Sequence, residues 1–149
     1  MVKGLKLSYN GCIKEKLLRK ILPSKEKAIK SLKKSEKLLE DAKKNFNIEL
    51  WDGTVIMAYL SIFHAARAIL IRDGWREKAH ACIARYLEEH YVKKNKLDRI
   101  IVDLLDRFRY LRHEDQYDVD FFATKTDAEE MLEFARKIIP IIKKIIETT

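Results

Sequence analysis

The sequence predicts an all-α fold, an up-and-down bundle of four to five main helices. Three observations predict it. Apolar residues recur at steps of three and four over long stretches, the period of a helix buried on one side. No alternating strand pattern runs longer than a few residues. Gly and Pro are scarce, four and two in 149 residues, so little interrupts the helices. A chain of this length buries a substantial core as one domain, residues 1–149. Within it, residues 1–22 form an arm with a short helix, and residues 24–147 form the bundle.

Residues 1–10 show no period and read as a loose arm. Cys12–Leu22 is a short helix through Ile13, Leu17 and Leu18, ended by Pro23. Ser24 is the N-cap of a second helix, Lys25–Phe46, whose narrow stripe is Ala28, Leu32, Ser35, Leu39, Ala42 and Phe46. The third helix, Glu49–Arg72, contains VIMAYLSIFHAARAILI and is apolar nearly all round. Such a helix is central to its bundle or lies in a subunit interface. Ala58, Ser61, Ala65 and Ala68 give it a stripe of small residues, and Gly74 is its stop signal. Ala79–Val92 is a fourth helix. Lys96–Arg112 is a fifth, with a clean period through Leu97, Ile100, Ile101, Leu104, Leu105, Phe108 and Leu111. The acidic stretch His113–Thr126 reads as a loop. Thr126 and Glu129 fit a capping box for a last helix reaching Ile146, kinked at Pro140.

No stretch of about 18 uninterrupted apolar residues occurs, so no membrane span is expected. The N-terminus lacks the layout of a signal peptide, and the expected location is the cytoplasm. Cys12 and Cys82 form no CxxC and adjoin no histidine cluster, which predicts two reduced, buried thiols. The net charge of +8 is unevenly spread. Residues 1–45 carry 14 Lys/Arg and 5 Asp/Glu, and the remainder carries 17 and 18. The basic N-terminal part is either an electrostatic footprint for RNA or an acidic partner, or a solvated lysine-rich helix face. Richness in Lys, Glu and Ile also suits a thermophile.

The segment LLDRFRYLRHEDQYDVD (Leu104–Asp120) concentrates the candidate chemistry. Arg107, Arg109 and Arg112 are cations able to grip phosphate, and His113 moves protons near neutral pH. Arg109 and His113 are four apart and share a helix face, and Tyr117 is four beyond His113. A metal-independent ribonuclease needs cations on the phosphate, a base for the ribose 2′-OH and an acid for the leaving oxygen. One His113 per chain is thin for both proton transfers, so a dimer supplying two copies suits the chemistry better. The competing structural reading is ordinary. Arg and His are favoured near a helix C-terminus, and Glu114, Asp115, Asp118 and Asp120 are available as ion-pair partners. His64 reads as a core histidine. The four histidines show no zinc spacing, and neither a Gly-rich phosphate loop nor a serine nucleophile motif occurs, so no metal or cofactor is expected.

AYLSIFHAARAIL (Ala58–Leu70), the following Gly74 and His80, and RHEDQYD (Arg112–Asp118) together resemble the HEPN family of small all-α domains. The resemblance runs from the third helix to the end. It implies a homodimer whose motif helices meet across a cleft. It also implies a composite ribonuclease site built on Arg, four to six residues, then His, which Arg107 and His113 match with five between. Many members are toxins encoded beside a minimal nucleotidyltransferase antitoxin, which in some systems adds AMP to a tyrosine just after the histidine. Here Tyr117 follows His113 by four residues, and Gln116 stands where an Asp usually precedes the tyrosine. The family arginine aligns with Arg112, whereas the literal spacing selects Arg107. The resemblance thus implies a toxin ribonuclease with catalytic Arg107 and His113, supported by Arg109, Arg112 and Tyr117. The alternatives are a non-catalytic module that binds a nucleotide or assists a nucleotidyltransferase, and a structural helical dimer with a basic RNA-binding arm.

Overall fold

Two helices packed through small side chains set the frame. Helix α2 (Lys25–Asn47) and helix α3 (Trp51–Asp73) run antiparallel, joined by a three-residue turn. Ala28, Ser35 and Ala42 on α2 and Ala58, Ser61, Ala65 and Ala68 on α3 are fully buried. The missing bulk lets the backbones approach closely enough for side-chain hydroxyls to bond across. Ser35 Oγ donates to the Ser61 carbonyl (2.5 Å), Ser61 Oγ to the Ser35 carbonyl (2.7 Å), and Ser31 Oγ to the His64 carbonyl (2.7 Å). At the turn, a side chain on Gly53 would strike Asn45, its Cβ falling 2.5 Å from Oδ1.

The structure, a computed structural model, describes residues 7–148. The elements are α1 (Tyr9–Lys14), β1 (Leu18–Lys20), α2, α3, β2 (Trp75–Glu77), α4 (Ala81–Leu87) with a π-helical turn (Glu88–Val92), α5 (Arg99–Tyr117) and α6 (Lys125–Glu147). The all-α bundle expected from periodicity is the fold observed. α3 is central, packing on α2, α4, α5 and α6. It is long and apolar enough to cross a bilayer, but that stretch is mostly buried inside the bundle. Ile62, Ile69 and Leu70 are wholly enclosed, each contributing about 1.5–3 kcal/mol by burial. α6 closes the core with Met131, Ala135, Ile138, Ile142 and Ile146 and continues through the exposed Pro140.

Four local expectations are corrected. Helix α1 ends at Lys14, and Leu18–Lys20 pairs antiparallel with Trp75–Glu77 as a two-stranded ribbon. Strands of three residues are too short to show alternation. The ribbon is closed by Gly74, which adopts φ 91° and lies so near Pro23 that a Cβ would come within 2.7 Å of its Cγ. Helix α5 continues past Arg112 to Tyr117, since nothing in 113–117 breaks it, and the Asp118 amide bonds to the Glu114 carbonyl. The capping box of α6 is Thr124 with Asp127, not Thr126 with Glu129, because the helix begins two residues earlier. Cys12 on α1 and Cys82 on α4 are joined in a disulfide, in place of the expected free thiols. Only the ribbon, folding the arm back across α3, brings them together, which no spacing rule reveals. The expected loose arm falls largely on residues 1–6, outside the described residues.

The disulfide closes a loop of 70 residues between fully buried cysteines. By chain entropy such a loop stabilises by about 4 kcal/mol. The Cys12→Ser/Cys82→Ser protein is therefore expected to unfold at clearly lower denaturant concentration than the wild type. Thiol titration of the unreduced, denatured wild type should find no free thiol; two thiols would overturn the assignment.

Candidate functional site

Helix α5 begins at the Asp98 cap, whose carboxylate accepts from the Ile100 amide (3.0 Å). Its inward face, Ile101, Val102, Leu105 and Phe108, packs on α3 and α6, with Phe108 meeting Phe134 at 5.5 Å between rings. That anchoring sends the arginines to different places. Arg107 turns towards α6 and pairs with Glu130 (2.8 Å), its side chain 62% exposed. Arg109 turns towards α3 and α4 and pairs with Asp106 (2.8 Å). Arg112 lies over the Tyr59 ring, Cζ 4.7 Å from its centroid, and donates to Gln116 Oε1 (2.9 Å). His113 is exposed, its ring 4.9 Å from that of Tyr117, which is 62% exposed.

The expected site residues thus fall into three groups within one chain. His113 and Tyr117 sit together at the helix end. Arg109 and Arg112 face α3. Arg107, six residues before His113, stands about 120° from it around the helix axis.

Arg109 and Arg112 enter a half-buried aromatic layer. Phe63 stacks on His80 at 4.0 Å, Tyr59 Oη and His80 Nδ1 share a hydrogen bond at 3.2 Å, and Arg67 lies over Phe63 at 4.3 Å. Arg67 is held by Glu77 through two bonds, 3.0 and 2.7 Å. A cavity of about 10 Å³, room for one water at most, lies among Tyr59, Phe63, His80 and Arg109. Burial, then Arg112, pulls the His80 imidazole below its usual range, so it is neutral at pH 7. Burial raises the Tyr59 phenol, against the pull of Arg112 and Arg109. Asp106 is shared by Arg85 and Arg109. Arg112 has no carboxylate partner among the described residues, and its buried Nε bonds to nothing among them. Tyr59, Asp106 and Arg85 carried no sequence signal of their own, since each is an ordinary member of a helical pattern. His80 was marked only by resemblance. Among the described residues no three His, Cys, Asp or Glu side chains converge as metal ligands would.

A sequence model of the HEPN domain matches residues 28–145, most of the chain and all of this arrangement. The chain belongs to the HEPN domain family. Two Methanocaldococcus jannaschii proteins, each named "Putative toxin", are 27% identical to it. One aligns over 69% of this chain and 70% of its own length, the other over 76% and 84%. A UPF0332 protein of Archaeoglobus fulgidus is 43% identical over 49 residues, a third of this chain and 39% of its own.

In this HEPN chain the end of α5 is tied to the start of α3 through two carboxyls. Asp52 accepts from the Ala123 amide (2.7 Å), and Asp115, both oxygens buried, lies against Asp52 and near the same amide. Two carboxyls side by side bond only when one holds a proton. Burial, and then Asp52, push Asp115 up to about 7. His64, desolvated beside Arg67 and Lys34, is pulled down to about 4.

The signs of these two shifts oppose. Unfolded Asp ionises near pH ~3.9, so the Asp115 contribution is full below that and is lost as pH rises towards 7. The His64 contribution is present above its unfolded value of about 6.5 and is lost as pH falls towards 4. Asp115→Asn should remove the first component only. Thermal unfolding across this range should show the variant gaining on the wild type as pH rises, and surpassing it at pH ~8. Parallel curves would show that Asp115 titrates normally.

Proposed function

We propose that this chain is a toxin ribonuclease that cleaves RNA without a metal, as a homodimer in the cytoplasm, held in check by a minimal nucleotidyltransferase antitoxin. The observation that carries this reading is the end of α5. An exposed histidine stands against an exposed tyrosine, with arginines on the preceding turns, in a HEPN chain whose relatives include proteins named as toxins. His113 of one protomer takes the proton of the ribose 2′-OH. The freed oxygen attacks phosphorus and yields a 2′,3′-cyclic phosphate. His113 of the second protomer returns a proton to the departing 5′ oxygen. Arg107 holds the phosphate and offsets its growing charge, supported by Arg109 and Arg112. The 120° between Arg107 and His113 within one helix favours a composite cleft, in which each protomer's arginine serves its partner's histidine. Tyr117 offers its hydroxyl to solvent as the acceptor for AMP.

A second reading has its own support. Arg112, with an unsatisfied buried Nε beside Tyr59, His80 and Arg109, is suited to hold a nucleotide phosphate with no bond broken. This is the non-catalytic module.

Cleavage of total RNA by the purified protein in EDTA separates the two. His113→Ala is expected to lower the rate by roughly 10²–10⁴ at unchanged thermal stability, and Arg107→Ala comparably. Retained cleavage in His113→Ala removes that residue from the mechanism. No cleavage by either protein, with nucleotide binding abolished in Arg112→Ala, establishes the second reading.

A further inference from the structure

The β1–β2 ribbon presents a cation pair that the fold does not use. Its register sets Leu18 opposite Glu77, Arg19 opposite Arg76 and Lys20 opposite Trp75. Opposed residues of an antiparallel pair share a face. Leu18 and Glu77 are buried, and Glu77 is taken up by Arg67. Lys20 lies 5.4 Å from the centre of the half-buried Trp75 ring. The other face therefore carries Arg19 and Arg76 side by side, both exposed, with exposed Lys78 two residues on.

Like charges directly opposite weaken a strand pair. Neither arginine has a carboxylate partner among the described residues: Glu15, the acid nearest Arg19 in sequence, ends α1, and Glu77, next to Arg76, is engaged by Arg67. The ribbon holds in spite of the pair. The Lys78 amide donates to the Leu17 carbonyl (2.8 Å), the Ile21 amide to the Gly74 carbonyl (2.9 Å), and the Cys12–Cys82 disulfide fastens the adjoining helices. Two guanidinium forks on a stapled, rigid ribbon can each take a phosphate oxygen pair without ordering a loop.

We propose that the outer face of this ribbon, Arg19 with Arg76, binds successive phosphates of single-stranded RNA at a site separate from the end of α5. Trp75 and Lys20 belong to the inner face, where Trp75 packs on Tyr86, so recognition on the outer face rests on the guanidinium pair and Lys78. The exposed Lys14, Lys16 and Lys78, close in sequence to the ribbon strands, add to the pull on a polyanion. Helix α3 sets the spacing. Arg112 meets Tyr59 in the first half of the helix, the ribbon follows Gly74 at its end, and roughly 22 Å of helix axis separates Tyr59 from Gly74. A strand seated on the ribbon can extend along the molecule towards α5.

The test uses the full chain and a 2′-O-methyl RNA strand of about 20 nucleotides, long enough to cover the ribbon and its flanks. That strand has no free 2′-OH to attack, so binding is read whether or not the chain cleaves RNA, and failure here is distinct from failure of the ribonuclease reading. Affinity is measured over a salt series for the wild type, for Arg19→Gln/Arg76→Gln, and for Lys33→Gln/Lys44→Gln, which removes two exposed charges from α2. The arginine variant should bind several-fold more weakly, with a salt slope shallower by roughly 1.4, about 0.7 for each phosphate no longer neutralised. Its melting temperature should hold or rise, since a like-charge pair is gone. The α2 variant should keep most of the wild-type affinity. Equal weakening in both variants would mean diffuse attraction and overturn the site. Binding of polyglutamate with the same dependence on Arg19 and Arg76, in place of RNA, would overturn it in favour of an acidic protein.

Discussion

The close approach of α2 and α3 is the constraint on which the rest of the molecule depends. Each hydroxyl of Ser35 and Ser61 donates to the other residue's carbonyl, so the pairing needs backbones near enough for a single side chain to reach. Alanines above and below permit it. A larger residue anywhere on this seam would spread the helices and leave buried hydroxyls unpaired, a penalty of about 1–3 kcal/mol for each missing partner before any cost in packing. With its small face spent on α2, α3 has only its larger side chains left for α6 and for the aromatic layer. Tyr59 and Phe63 point to His80 and α5, and Arg67 to Glu77 of β2, because Ala58, Ser61, Ala65 and Ala68 already face the other way.

The sequence made legible whatever depends on neighbours close along the chain. The periods of α2 and α3, the Ser24 cap and the Gly74 stop follow from local rules and stand where expected, whereas α5 begins at Arg99 and leaves Ile100 of its expected stripe exposed. What depended on distant neighbours was not legible. The ribbon needs Gly74 beside Pro23, and the disulfide needs the ribbon. The end of α5 was misread for a subtler reason. Acidic residues near a helix C-terminus oppose its dipole, so Glu114 and Asp115 looked like a loop. Burial against Asp52 keeps Asp115 protonated over much of the pH range and removes that objection. For the site, the residue types were legible and their grouping was not. Three arginines within six residues read as one cluster, yet a helix sends them to three neighbours.

That divergence also ranks the three arginines by how far the fold has already engaged them. Arg109 is committed to Asp106, which Arg85 shares, so its charge is largely answered within the chain. Among the described residues the carboxylate that Arg107 meets is Glu130, an ion pair of the kind worth less than about 1 kcal/mol and easily exchanged for a phosphate. Arg112 is intermediate, resting on Tyr59 with one donor unused. A ligand phosphate would find Arg107 easiest to recruit and Arg109 hardest. Burial and the partners already engaged set that order, independent of which arginine matches a family spacing.

The N-terminal cap follows the same logic at a larger scale. Residues 7–22 add little to the core beyond Cys12 and Leu18, yet they are bound by a covalent bridge, a ribbon and backbone bonds on either side of it. A segment so basic repels itself and its neighbours, and apolar burial on this scale would not hold it. The bridge lies fully buried, out of reach of reductants until the cap opens, so it survives where exposed disulfides are reduced. Fastening costs nothing in surface chemistry, because each fastener faces inward: Cys12, Leu18 and Glu77 are all buried. What remains outside includes Lys14, Lys16, Arg19 and Lys20 against one acid, Glu15, and the ribbon that carries two of them adjoins α3, the helix on which Tyr59 meets His80.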